Sequence, residues 1–261
     1  MKQHAHRALG GLRENSPREL VESAFRHVRP RTPFESKHPT LIAFNSYRNY
    51  WMNRWRYSAV AHPFGTVRVA PAEVAHMADV SYERGLGRIA DGNWDRESNL
   101  TPVDRHPTFK GLKQRFEAGW DWEETAYVAH ADERIQAGKA AYGVSTVEEF
   151  IDKRCAYVEA LYTDIKENGY RSEAEIENES AFGTSPHNLD PIVAISRNGE
   201  IRFAHSGKHR FAIAQILDIE IPCTVAVRHD GWQSIRDDVY DSDRWNGRDE
   251  LRAHPDLQDV V

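Results

Sequence analysis

Cysteine is nearly absent: Cys155 and Cys223 are the only two. They are too few for a disulfide scaffold and too widely separated for a zinc knuckle. Each sits among apolar residues and reads as an ordinary buried thiol. Long apolar runs are missing too. Nothing approaches the roughly 18 consecutive apolar residues of a membrane helix. The opening MKQHAHRALGG has no apolar centre of the kind a signal peptide needs. The expectation is a soluble protein of the reducing cytoplasm, with no membrane span. A net basic charge is the third absence. Lys and Arg number 34 against 40 Asp and Glu, a balance of −6, so there is no global signal for nucleic acid. The spread is uneven, however: residues 1–56 carry 11 Lys and Arg against 4 Glu, and residues 230–261 carry 4 Arg against 9 acids. Either the two ends attract each other, or a basic arm has an acidic partner.

At 261 residues and 40% hydrophobic, the chain can bury a core in one large domain or two small ones. Ser16-Pro17-Arg18-Glu19 opens a short amphipathic helix, and prolines break the segment 29–39. Residues 47–57 (YRNYWMNRWRY) form the densest aromatic and basic cluster. Tyr47, Trp51 and Trp55 recur every four residues on one helix face, with Arg48, Arg54 and Arg56 around it. Such a stripe can stack bases and hold phosphates or lie on a membrane surface. Its commoner role is packing, so the expectation is a ring stripe buried on the core. Residues 65–70 read as a strand, and Pro71 as the start of a helix through Met77. In GRIADGNWD (87–95), Asp91 and Asp95 are candidate magnesium ligands. They are equally turn residues, since Asp-Gly and Gly-Asn are turn dipeptides.

A helical pattern over 108–129 breaks at Gly119. Ser145 and Glu148 form a capping box before the clearest helix, whose apolar positions keep a 3.6 period from Val147 to Ile165 and stop at Asn168-Gly169. The polar, acidic segment 170–189 is a lid or a surface insertion.

The most informative stretch is 191–229. A short apolar run ends in Arg197-Asn198-Gly199, and Asn-Gly is a strong hairpin signal. Ile201, Phe203 and His205 then alternate with Arg202, Ala204 and Ser206, as in a strand with two different faces. After Gly207 a nearly all-apolar helix begins at Lys208, and Pro222 opens another strand. A strand passing through glycine into a helix aims several unpaired backbone N–H groups at one spot. Lys208 and Arg210 add charge, and the arginine adds a fork that fits phosphate oxygens. The alternative is a helix start with two solvated basic residues.

Gly207, His209 and Arg210, followed by Ile221-Pro222 and preceded by LYTDIKENG (161–169), resemble the signature of the ParB/sulfiredoxin-like superfamily. The resemblance covers about a third of the chain. It implies an α+β fold, a small mixed sheet with packed helices preceded by a mostly helical N-terminal region. With the composition, the organisation expected is a basic, aromatic segment 1–60, a nucleotide-binding domain 61–232 with insertions, and an acidic, flexible tail 233–261. It further implies that Ser206, Gly207, Lys208, His209 and Arg210 bind the phosphates of ATP or CTP. Lys208 stands where sulfiredoxins carry a reactive cysteine, which argues against sulfinic-acid repair. An acidic Glu-Asn-x-x-Arg segment, which ParB proteins use for CTP, has no clear counterpart.

The first functional reading is a Mg-dependent phosphotransferase or nucleotide hydrolase acting on an unidentified small-molecule or macromolecular acceptor. Lys208 and Arg210 would stabilise charge, Asp91 or Asp95 would hold the metal or take a proton, and His205 is a further acid–base candidate. The second is a non-catalytic, nucleotide-responsive module that binds DNA or protein, with nucleic acid engaged through residues 47–57.

Overall fold

The computed structural model describes residues 38–172, 175, 190–204, 206–241 and 249–261. The expected helix after Ser16, most of the acidic segment 170–189, and His205 lie outside the described residues. The strands are β1 (Thr66–Val69), β2 (His76–Ala78), β3 (Arg88–Ala90), β4 (Leu100–Pro102), β5 (Ile192–Ile195), β6 (Ile201–Phe203) and β7 (Ile221–His229). They form one mixed sheet in the order β1-β7-β5-β6-β2-β4, with β3 also on β7.

β7 organises the sheet. Its first half pairs antiparallel with β1 and its second half parallel with β3, while β5 runs parallel along the other side. Every residue of β5 is buried. Val193 and Ile195 join the larger apolar cluster, and Ile192 and Ala194 join a smaller one. A strand covered on both faces needs a continuous apolar run, which Pro191–Ile195 supplies.

The helices are α1 (Pro39–Arg54), α2 (Pro107–Phe116), α3 (Ala126–Gln136), α4 (Ala156–Asn168), α5 (Lys208–Ile216) and α6 (Asp230–Tyr240). Phe109 and Leu112 of α2, Val128 of α3, Val158 of α4 and Phe211 of α5 build the larger cluster. Ile42 of α1 joins Leu86 in the smaller one. The protein is thus α+β, a mixed sheet with helices packed on it, as the sequence indicates. No helix among the described residues is long and apolar enough to cross a membrane.

Four local expectations are corrected. The ring stripe of α1 faces outward: Trp55 is 90% exposed, Trp51 61% and Tyr47 46%. The helix docks instead through its polar side. Ser46 Oγ donates to Ile42 O at 2.7 Å and accepts from Leu86 N at 2.8 Å, and Asn49 Nδ2 donates to Arg84 O at 2.9 Å. Gly85 permits this approach, because a Cβ there would lie 2.6 Å from Ser46 N. Pro71 opens only a 3-10 turn, Pro71–Glu73, before β2.

The helix before α4 is capped by Thr146, which accepts from Glu149 N, and not by Ser145. A π turn, Phe150–Cys155, then interrupts the 3.6 period. Finally, the described part of the acidic tail is folded. Asp256 and Leu257 are fully buried. The Asp256 carboxylate accepts from Arg228 Nε at 2.9 Å and Trp232 Nε1 at 2.9 Å, and Arg236 Nη1 lies 3.3 Å away.

Candidate functional site

The sheet delivers Gly207 to a defined place. Ala204 N donates to Ile192 O at 2.8 Å, and Ile192 N donates to Ser206 O at 3.1 Å, so the chain leaves β6 alongside the start of β5. Gly207 then takes φ +81° and ψ 22°, the left-handed region that side chains disfavour. A Cβ there would also fall 2.8 Å from Pro191 Cα. Both demands fit the glycine that the strand–turn–helix pattern singles out. No side chain caps α5, whereas His106, Thr125 and His229 cap α2, α3 and α6. The first-turn amides of α5 and the positive end of its dipole are therefore uncommitted to any side chain.

Lys208, His209 and Arg210 fan out in three directions, because successive residues turn by about 100°. Lys208 is half-buried and makes no ion pair or hydrogen bond among the described residues. Burial holds its ammonium below the usual lysine range. His209 turns toward a pocket of α3 and the π turn. Its Nε2 lies 2.8 Å from Tyr127 Oη, and Arg154 Nη2 lies 3.1 Å from its Nδ1.

Arginine can only donate, and its Nη2 also lies 3.4 Å from Nε2, so a ring nitrogen of a neutral imidazole accepts from it. Burial, then the positive charges of Arg154, Lys208 and His106, pull the His209 pKa down to about 3. Each of those charges is positive. A neutral ring with so weak a conjugate acid is a positioning group and a poor general base at pH 7.

What His209 positions is Arg154. Arg154 Nε donates to Tyr127 Oη at 3.2 Å, and the guanidinium lies 4.3 Å from the Tyr142 ring centroid and 4.8 Å from that of Tyr157. Tyr142 holds φ +52°, a conformation rare for a bulky residue. The π turn that carries Arg154 is likewise a feature that concentrates at functional sites. Arg154 has no carboxylate partner among the described residues. Two cations without counter-charge, Lys208 and Arg154, thus flank the uncapped start of α5.

Arg210 departs from expectation. It lies nearly opposite Lys208 around α5, with its guanidinium 6.0 Å from the Tyr170 ring centroid. The Tyr170 hydroxyl donates to Asp190 Oδ1 at 3.0 Å, and burial pushes its pKa up. Arg210 is thus engaged with the Tyr170 side of the helix and does not converge with Lys208. Ser206 contributes its carbonyl to β5, while His205 is not among the described residues.

Asp91 and Asp95 do not reach this turn, which corrects their expected role there. Asp95 is a brace for the β5–β6 hairpin: its Oδ2 accepts from Arg197 N at 2.9 Å and from Arg197 Nε at 2.8 Å. Burial works against its charge, yet the Arg197 bonds hold it at about 2. Asp91 follows β3, whose Ala90 pairs with His229 at the far end of β7. Arg197 and Pro191 mark opposite ends of β5, on the order of 20 Å apart at about 3.3 Å per residue.

The carboxylate that does lie beside the turn is Asp190, next to Pro191 and buried. Sequence reading missed it, along with Arg154, Tyr127 and Tyr142. A single Asp before a proline and an Arg within an apolar helix carry no pattern of their own. Among the described residues no group of three or more His, Cys, Asp or Glu could hold a metal ion. Both cysteines are buried with raised pKa values, so neither is a nucleophile here. Comparison with models of protein families, with curated proteins and with solved structures gives no match to this chain.

Proposed function

We propose that the turn at Gly207 binds the phosphates of a nucleoside triphosphate, and that the chain transfers or hydrolyses the terminal phosphoryl group. One observation carries this reading: Lys208 opens a helix that no side chain caps, Arg154 lies on the next side chain, His209, and neither cation has a carboxylate partner among the described residues. Burying cations unpaired costs free energy, and an anion with several oxygens satisfies both at once. The glycine supplies close backbone approach, and the amides of α5 supply donors. The resemblance of Gly207, His209 and Arg210 to a nucleotide-binding signature narrows the anion to a nucleoside triphosphate.

The chemistry asked of these residues is positioning and charge stabilisation. The acceptor oxygen bonds to the terminal phosphorus as the bridging bond to the diphosphate breaks, and the acceptor's proton passes to water. Lys208 and Arg154 neutralise charge on the transferred and departing oxygens. Mg²⁺, when bound with the triphosphate, would neutralise further phosphate charge. His209 and Tyr127 keep Arg154 aimed.

Thermal shift with ATP, CTP, GTP and inorganic triphosphate, each with Mg²⁺, tests the proposal. At least one triphosphate should raise the melting temperature, and Lys208→Gln should abolish the shift. No shift with any of them would overturn it. Release of inorganic phosphate then separates an enzyme from a nucleotide-responsive binding module.

A further inference from the structure

Helix α1 turns its rings to solvent and its polar side to the protein. Its polar residues Ser46, Asn49 and Asn53 face the protein and bond to backbone of the 84–87 loop. Phe44, Tyr47, Trp51, Met52 and Trp55 face solvent. A helix held to its domain by hydrogen bonds, with rings outward, exposes a large apolar face of the kind that marks an interaction site. The rings extend beyond the helix. Tyr47 packs on Phe64 at 5.5 Å and on His62 at 6.0 Å, and Tyr50 lies 5.6 Å from Trp51. Together they form a broad aromatic platform.

Charge identifies the occupant. From Ser36 to Ala72 the sequence has no Asp or Glu, while Lys37, Arg48, Arg54, Arg56 and Arg68 fall within it. Arg54 lies on the Tyr50 ring at 5.6 Å and Arg56 on the Tyr57 ring at 5.6 Å, so cations and rings share one surface. A second copy docking face to face would bring arginine to arginine with no carboxylate in the segment to answer it. A helix lying on a membrane keeps its cations on the face opposite its rings, whereas here Arg54 and Arg56 lie against rings of the same surface.

A single-stranded nucleic acid satisfies both features, since every base has a face to stack and every link carries a phosphate. Rings four residues apart advance about 6 Å along the helix, a step that an extended strand can match. We infer that the outward face of α1 binds single-stranded nucleic acid by base stacking on Tyr47, Trp51 and Trp55, with Arg54 and Arg56 on the phosphates. This is independent of the triphosphate site.

The test is fluorescence anisotropy of the full chain with labelled 12-mers of thymidylate and uridylate at two salt concentrations. Trp51→Ala with Trp55→Ala should weaken binding at least about tenfold, given the usual worth of a stacked base. Arg54→Gln with Arg56→Gln should weaken it and flatten its salt dependence. All four positions are exposed, so the melting temperature should hold. Lys208→Gln should leave oligonucleotide binding unchanged, which keeps this surface distinct from the triphosphate site. No binding, or binding insensitive to the tryptophan pair, would overturn the inference. So would capture by anionic phosphatidylserine vesicles without oligonucleotide binding, or tryptophan-dependent self-association without it.

Discussion

At the residue scale, the site is defined by charges that lack an answer. Lys113 shows the usual arrangement, paired with Asp104 at 2.9 Å. Lys208 and Arg154 have no carboxylate partner among the described residues, and the His209 ring that bonds Arg154 is held neutral. His209 therefore carries a measurable signature. The fold favours its neutral form, with a pKa of about 3 against the usual 6.5. Its contribution to stability is complete above pH 6.5, where the unfolded chain is neutral as well. It is lost progressively as pH falls from 6.5 toward 3, because only the unfolded chain takes up the proton. The slope approaches about 1.4 kcal/mol per pH unit for one such group. Urea unfolding at pH 7.5, 6 and 5 should show this loss in the native sequence and a shallower one in His209→Gln. Parallel curves would mean that the ring is not held neutral. His254, also lowered by burial, acts in the same direction and remains in the variant.

At the element scale, the legible parts were those where local pattern and tertiary need agree. The Asn198-Gly199 hairpin, the strand into Gly207, the apolar α5 and the stop at Gly169 all formed where the residues indicate. The failures have physical causes. Periodicity reports which side of a helix is apolar and is silent on which side docks, so α1 was read inside out. A π turn leaves no propensity signal, so the direction of Arg154 could not be read. Pro71 begins a helical turn, but the turn stops after Glu73 because β2 must start.

The C-terminal segment misled through its charge. Its acids suggest a solvated tail, yet Asp256 is buried between Arg228 and Arg236, whose attraction outweighs the cost of burying its charge and lowers its pKa. Asp256→Asn keeps the shape and strands two buried arginines, which should cost about 3–5 kcal/mol. Urea unfolding at pH 7 checks this, and a loss under 1 kcal/mol would mean that the segment does not clamp β7 to α6.

At the scale of the whole molecule, the sheet separates two ends with different work. One end of β5 carries the Arg197–Asp95 brace, and the other carries Pro191, Asp190 and the Gly207 turn. Sequence could name the turn because its chemistry is local. It could not tell that Asp91 and Asp95 belong to the other end, since only the parallel pairing of β5 with β7 fixes that. The central claim is that Lys208 and Arg154 together hold phosphate. The most direct measurement is titration calorimetry with the triphosphate giving the largest thermal shift, at fixed Mg²⁺. It compares the native sequence with Lys208→Gln, Arg154→Gln and, as a distant control, Arg197→Gln. Losing a charge-assisted bond weakens binding by roughly tenfold to a hundredfold. Lys208→Gln and Arg154→Gln should each show such a loss, while Arg197→Gln should bind as the native sequence does. Affinities for Lys208→Gln and Arg154→Gln within twofold of the native value would contradict the account.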